Sequence, residues 1–380
     1  MTRYSTFRGA ALMMSVASSA ALAQATTTVP PTTGKYMEQP ATLVTVTGTI
    51  YGTLEMPAAT RAVPVVLIIA GSGPTDRDGN SRALPGQNNS LKLLADGLAA
   101  HGIASVRYDK RGIAASASAA GKEEDLRFGM YVDDAAGWLK QLRADKRFTT
   151  VSVAGHSEGS LIGMIAARQA GADGYISLEG AGRKPAQIIV EQITNQVSPE
   201  IVATSKHIMA LIEAGLPPDT TTIPPMLAPL FRPSVRPYLV SWFKYDPALE
   251  IAKLKIPALV VQGTTDIQTS MADAKALANG YPSARFLQVD GMNHVLKKAP
   301  PGRADQMPVY SDPTIPVVPK LIDEMSGFVN GLKRSLNSVP AAHPPIADTF
   351  VGSDKVKHFL ISGFVETVGF SAMQLAGAGR

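Results

Sequence analysis

The sequence predicts an α/β fold: a mostly parallel sheet with helices on both faces and an inserted helical cap. Three observations predict it. Short, unalternated apolar runs recur at 65–69, 103–106, 151–154, 175–178 and 258–261, and read as strands covered on both faces. Stretches of helical period lie between them, such as Leu91, Leu94 and Leu98, or Tyr131, Ala135, Trp138, Leu139 and Leu142. The alternation breaks once, at about 184–254, where helical stretches and the turns Pro217-Pro218, Pro224-Pro225, Pro233 and Pro237 replace strands; this segment reads as the cap.

In chain order, Arg3 and Arg8 form a basic start. The apolar run at 9–21 is too short to span a bilayer of about 30 Å, and Ala21-Leu22-Ala23 offers an A-x-A cleavage site. Residues 1–23 therefore read as a signal peptide, and the mature protein is expected in the periplasm or secreted. Residues 24–40, rich in Thr and Pro, read as a linker ahead of a domain at 41–336. That domain opens with Leu43, Val44 and Val46, then Ile50, Tyr51 and Leu54, around Gly48 and Gly52: an edge hairpin. The cap residues Ile208, Met209, Ile212, Met226, Leu230, Phe231, Trp242 and Phe243 are expected mostly as a satellite core, with lining of a pocket as the alternative.

A helical stretch at 271–278 follows the run at 258–261, and a short strand-like run at 286–289 comes after it. Val317, Val318, Leu321, Ile322, Met325, Phe328 and Leu332 give the final core helix within 314–336. A linker at 337–353 leads to an apolar tail at 354–380. Glu366 near the centre of that tail makes a membrane span cost about 2.5 kcal/mol or more, which favours peripheral membrane contact or a docked helix.

Apolar residues at 45% and charged residues at 18% give a globular balance. The formal charge of +5, from 36 Lys and Arg against 31 Asp and Glu, includes Arg3 and Arg8, and no run of five basic residues occurs. Nucleic acid is thus not an expected partner. The absence of cysteine excludes disulfides, thiol catalysis and lipidation at the cleavage site.

Gly155-His156-Ser157-Glu158-Gly159 follows one apolar strand and precedes a helical stretch through Leu161, Ile162, Met164 and Ile165. With 33 Gly in the chain, about 0.2 G-x-S-x-G matches arise by chance, so the string is weak and its strand-turn-helix context is what matters. In that context Ser157 is the candidate nucleophile of an α/β-hydrolase fold.

A serine hydroxyl needs a base, and in this fold the acid and then the histidine follow the nucleophile in the chain. His101 precedes Ser157, His156 adjoins it and should point away, and His207 falls in the cap. Of the remaining three, His343 lies in a Pro-rich linker and His358 in the tail. His294, in Asp290-Gly291-Met292-Asn293-His294 just past an apolar run, is the candidate base. Asp266, after the run at 258–261, is the candidate acid, with Asp290 and Glu179 as competitors and a helix-capping role as its structural alternative.

The backbone amide of Glu158 and one from the loop Ala70-Gly71-Ser72-Gly73-Pro74 are the expected oxyanion donors, Ser72 ahead of Gly73. Thr75-Asp76-Arg77-Asp78-Gly79-Asn80 superficially resembles a calcium loop. Its glycine comes too early and Gln87 stands where the closing glutamate is needed, so a solvated turn is expected. No close metal-ligand spacing occurs, and no metal or other cofactor is implied.

Together, Gly-Ser-Gly-Pro-Thr-Asp-Arg-Asp-Gly-Asn at 71–80, Arg-Tyr-Asp-Lys-Arg-Gly at 107–112, the Gly155–Gly159 motif and the Asp266 and His294 loops resemble bacterial α/β-hydrolase carboxylesterases related to dienelactone hydrolases and acyl-peptide hydrolases. The likeness spans 42–336. It implies hydrolysis of small-molecule esters through an acyl-enzyme on Ser157, His294 and Asp266. The segment Asp109-Lys110-Arg111-Gly112 looks like a structural loop of such enzymes, with Arg111 bracing neighbouring loops by ion pairs. Its continuation, Ile113-Ala114-Ala115-Ser116, departs from the usual glycine-rich form. Asp354-Lys355-Val356-Lys357-His358-Phe359 weakly resembles the opening of a small bacterial membrane-associated module. Peptidase or amidase activity on the same triad, or a non-catalytic exported binding protein, are the alternatives.

Overall fold

The computed structural model describes residues 36–334 apart from 83, 85 and 195. The expected signal peptide at 1–23, the linker at 337–353, the tail at 354–380, His343 and His358 lie outside the described residues.

Among the described residues eight strands form one sheet: β1 (Tyr36–Thr45), β2 (Gly48–Pro57), β3 (Val63–Ile69), β4 (Ala104–Tyr108), β5 (Phe148–His156), β6 (Gly174–Leu178), β7 (Ala258–Gly263) and β8 (Arg285–Val289). Their spatial order is β1-β2-β4-β3-β5-β6-β7-β8. The first two pairings are antiparallel and the rest parallel. The helices are α1 (Ser90–Ala100), α2 (Phe128–Ala144), α3 (Glu158–Ala170), α4 (Pro185–Thr194), α5 (Pro199–Glu213), α6 (Ala228–Phe231), α7 (Arg236–Phe243), α8 (Pro247–Ile251), α9 (Met271–Gly280), α10 (Arg303–Gln306) and α11 (Pro319–Asn330).

The unalternated apolar strands are explained by burial of both sheet faces. Val65, Leu67 and Ile69 of β3 pack into one cluster with residues of α2 and α3. Their neighbours Val66 and Ile68, with Ala70 just beyond the strand, pack into a second cluster with Leu91, Leu94 and Leu98 of α1 and Leu321, Met325 and Val329 of α11. Because successive side chains of a strand point to opposite faces, each residue must be apolar. α1 thus leaves β3 toward one face while α3 leaves β5 toward the other, and β3 and β5 are neighbours. The loops that follow these two strands diverge, and the crevice between them is where α/β sheets bind ligands.

Three expectations need correction. β1 starts at Tyr36, so 36–40, which the linker was expected to include, are strand; they pair with β2 through Tyr36 opposite Pro57 to Pro40 opposite Thr53. The strand is an exposed edge, with Met37 and Val44 facing solvent, and so lacks the apolar alternation that would have marked it.

The cap is not a satellite core. Ile208, Met209, Ile212, Leu230, Phe231 and Phe243 belong to the same cluster as Val65, Val153 and Tyr175, and so extend the core of one sheet face. Met226 is exposed.

The turn at 75–80 is tied down rather than merely solvated. Asp76 accepts the N–H groups of Asp78 and Asn80 at 2.9 Å, Arg77 pairs with Asp109 at 2.6 Å, and Asp78 pairs with Arg107 at 2.8 Å. The loop after β3 lies beside β4, which brings these distant charges together. Farther along, Arg111 forms a bidentate pair with Asp134 at 2.8 and 2.5 Å, and Ala114 takes φ of 41°, the left-handed region that favours glycine.

Candidate active site

Strand β5 delivers Ser157 at the carboxyl edge of the sheet with φ of 55° and ψ of −120°, a strained conformation for a residue with a side chain. The flanking glycines make the turn sterically possible. A Cβ on Gly155 would stand 2.0 Å from the Gly159 carbonyl oxygen, and one on Gly159 would stand 2.5 Å from that of Ile69. The Ser157 N–H is held by the Leu178 carbonyl at 2.9 Å, which anchors the turn to β6. Helix α3 begins at Glu158, so the amide of Glu158 is one of the helix N-terminal donors with no intrahelical acceptor, at the positive end of the helix dipole.

The loop after β3 passes beside the nucleophile: a Cβ on Gly71 would lie 3.1 Å from that of Ser157. Ser72, Ser157 and Glu158 line one cavity of about 60 Å³. Leu161, Ile188, Ile189, Leu230 and Trp242 supply apolar wall, and Gln192, Gln268 and Thr269 supply polar groups. Ile188 and Ile189 on α4, Leu230 on α6 and Trp242 on α7 all come from the cap, so the inserted segment both extends the core and walls the cavity at the serine.

Asp266 and His294 meet. His294 Nδ1 lies 2.7 Å from Asp266 Oδ2, and both side chains are buried. Asp266 Oδ2 also accepts the Thr269 hydroxyl at 2.8 Å, while Oδ1 accepts the N–H groups of Gln268 and Thr269 at 2.7 and 3.1 Å. Burial alone would raise the Asp266 carboxyl. The charge and hydrogen bond of His294, with Glu179 and the Gln268 N–H, override it and hold Asp266 well below the usual carboxylate range. Asp266 is therefore an anion that fixes the proton on Nδ1 and leaves Nε2 as the basic nitrogen.

The two competing acids are placed otherwise. Asp290 is exposed and accepts from Gln288 at 3.1 Å. Glu179 is fully buried and accepts the Gly263 N–H at 2.9 and 3.1 Å. Burial and the neighbouring Asp266 charge push its carboxyl well above the ordinary value, which disfavours a second carboxylate charge beside Asp266. The described histidines His101 and His207 also lie away from the serine loop, His101 on the Gly97 carbonyl after α1 and His207 on α5.

Sequence reasoning missed three contributors. His156, expected simply to point away, packs its ring 4.8 Å from that of His294, and its Nε2 donates to the His294 carbonyl at 2.7 Å. Burial, with the adjacent His294, lowers it to about 3, so it is a neutral ring holding the His294 loop. Lys110 donates to the Gly71 carbonyl at 2.5 Å and pairs with Glu158 at 3.1 Å. Tyr238, on the cap helix α7, donates to the other Glu158 oxygen. A lysine inside a charged segment and a tyrosine in a cap carry no periodic signal; the one sequence cue was that Lys110 falls in the Asp-Lys-Arg-Gly segment.

Metal-binding capacity among the described residues is confined to Glu38, Glu55 and Asp96, whose oxygens lie within 4.8 Å of one another. Arg107 already pairs with Glu38 and Glu55, and Lys92 with Glu38 and Asp96, so these carboxylates are neutralised by cations of the protein itself.

The fold is of the α/β-hydrolase type. Residues 88–212 match the model of a family described as serine aminopeptidase. The esterase EstD of Thermotoga maritima is 26% identical over 289 residues, which are 75% of this chain and 66% of that relative. Among solved structures, Est1E from Butyrivibrio proteoclasticus superposes with a TM-score of 0.50 at 16% identity, over 77% of this chain and 98% of its own. VinJ superposes with a TM-score of 0.50 at 17% identity, over 77% and 99%. At such identities the structural likeness establishes the shared fold.

Proposed function

We propose that the protein is a serine hydrolase that cleaves small carboxylic esters through an acyl-enzyme. The observation that carries this reading is the strained Ser157 elbow opening into a cavity shared with Ser72 and Glu158, together with a His294 ring that is fixed by Asp266 and packs on His156, the residue before the nucleophile.

In the first half-reaction the Ser157 hydroxyl proton passes to His294 Nε2 as Oγ bonds to the ester carbonyl carbon. The resulting oxyanion is met by the amides of Ser72 and Glu158. The carbon–oxygen bond to the alcohol then breaks, and His294 returns the proton to the departing oxygen. Water repeats the sequence, losing a proton to His294 and releasing the acid, with Ser157 regaining its hydrogen. All of this is proton transfer and acyl transfer, chemistry that side chains perform unaided.

Esters are favoured over peptide amino termini by the cavity wall. An aminopeptidase needs an anion for the substrate ammonium group, and the ionisable side chain lining this cavity is Glu158, already engaged by Lys110 and Tyr238. Apolar walls with the amides of Gln192 and Gln268 suit an uncharged acyl group. The similarity to EstD, an esterase, points the same way. Export to the periplasm or medium is part of the proposal and rests on the sequence pattern of residues 1–23.

The test is turnover of p-nitrophenyl acetate and butyrate, and of aminoacyl p-nitroanilides, by wild type and Ser157→Ala. The proposal expects ester hydrolysis that disappears with Ser157. Equal turnover by the two proteins, or a strong preference for the anilides, would overturn it.

A further inference from the structure

The oxyanion loop is held by a buried cation. Lys110 follows β4 and is almost fully buried. Its Nζ lies 2.5 Å from the Gly71 carbonyl oxygen, 3.1 Å from Glu158 Oε2 and 5.1 Å from the centroid of the Tyr131 ring. The Gly71 carbonyl belongs to the same peptide unit as the Ser72 N–H. In a trans peptide those two groups point in opposite directions, and the structure contains no cis bonds among the described residues. Holding the carbonyl from one side therefore sets the direction of the N–H on the other, and Ser72 lines the cavity with Ser157.

The glycine at 71 makes the peptide plane of this loop intrinsically free to turn, since no Cβ restrains it. A side chain there would crowd His156 and Ser157, each 3.1 Å from its Cβ, and with glycine in place the restraint comes from a partner outside the loop. A charged donor on the carbonyl also polarises the amide and strengthens its N–H as a donor. The same ammonium reaches the carboxylate of Glu158, the residue whose backbone amide is the second donor, and Tyr238 of the cap holds the other oxygen of that carboxylate. One lysine thus ties together the two backbone segments that must converge on a single oxygen.

We propose that Lys110 is a positioning residue for the oxyanion hole: by binding the Gly71 carbonyl it orients the Ser72 amide toward the oxygen that becomes charged in the transition state. This rests on the acyl-transfer reading of Ser157.

Lys110→Met is the direct test, measured for ester kcat and KM, for inhibition by an aryl trifluoromethyl ketone, and for the rate at which a fluorophosphonate labels Ser157. The ketone adduct and the phosphonyl group each place an oxygen in the same hole. Misdirecting one such donor is expected to lower kcat about 100-fold, with KM within about threefold of wild type and with ketone affinity and labelling rate falling in step. Because Met leaves Glu158 buried without its cation, Lys110→Met combined with Glu158→Gln keeps the measurement open where the single variant does not fold.

A folded variant that keeps kcat and labelling rate within about threefold of wild type would overturn the assignment, and so would a loss confined to KM. Wild type that is labelled yet turns over no ester refutes the esterase reading instead, and the labelling rates of wild type and variant still decide the role of Lys110.

Discussion

Replacing His156 by glutamine isolates a pH effect that the site builds into the folded state. The His156 ring is buried, donates from Nε2 to the His294 carbonyl, and is lowered to about 3 by burial and by its neighbour His294. In the unfolded chain the ring titrates near 6.5. Above that value both states leave it neutral. As pH falls through 6.5 the unfolded chain takes up a proton that the native ring refuses until about 3, so native stability drops across that window. At about 1.4 kcal/mol for each tenfold change in proton affinity, going from pH 7.5 to pH 4 removes roughly 3 kcal/mol through this one residue. Glutamine keeps a donor for the carbonyl and does not titrate. Urea unfolding at the two pH values should therefore show wild type losing roughly 3 kcal/mol more than His156→Gln. Equal losses would refute a neutral, buried His156 and with it the account of how the His294 loop is held.

Asp266→Asn leaves the packing intact but removes the charge that fixes the His294 tautomer, and should lower kcat about 1,000- to 10,000-fold in an ester assay; retention of more than a tenth of the activity would argue against the role. Arg111→Met strands the buried Asp134 carboxylate and should cost about 3–5 kcal/mol in urea unfolding, most of it recovered when Asp134→Leu is added. Ile189→Ala enlarges the cavity wall on α4 and should shift kcat/KM toward longer acyl chains, with the hexanoate-to-acetate ratio rising roughly tenfold. An unchanged ratio would mean that the acyl chain lies elsewhere.

Much of the fold was legible because burial on both faces forces every residue of a central strand to be apolar. That is why the runs around Val65, Val151 and Ala258 marked β3, β5 and β7. The elbow was legible because two backbone contacts forbid any side chain at Gly155 and Gly159, and the chain order from Ser157 through Asp266 to His294 narrowed the histidine search. β1 was partly missed because an edge strand facing solvent is free to be polar along Tyr36–Pro40. The cap was misread as a separate core because residues such as Ile208 and Phe231 reveal that they are apolar, but not which apolar surface they meet. The roles of Lys110 and Tyr238 and the partnership of His156 with His294 went unread for a related reason, although Lys110 lay in a segment already marked as a structural loop. Each depends on a contact between segments distant in the chain, and a single polar residue carries no period.

The most direct test is to mix the protein with a slowly deacylating ester, quench in acid within the first turnovers, and locate the added acyl mass by peptide mapping. The account predicts one acyl group on the peptide bearing Ser157, formed no more slowly than product appears and absent from Ser157→Ala. Product release with no adduct on that peptide, or an adduct on another residue that survives Ser157→Ala, would contradict it.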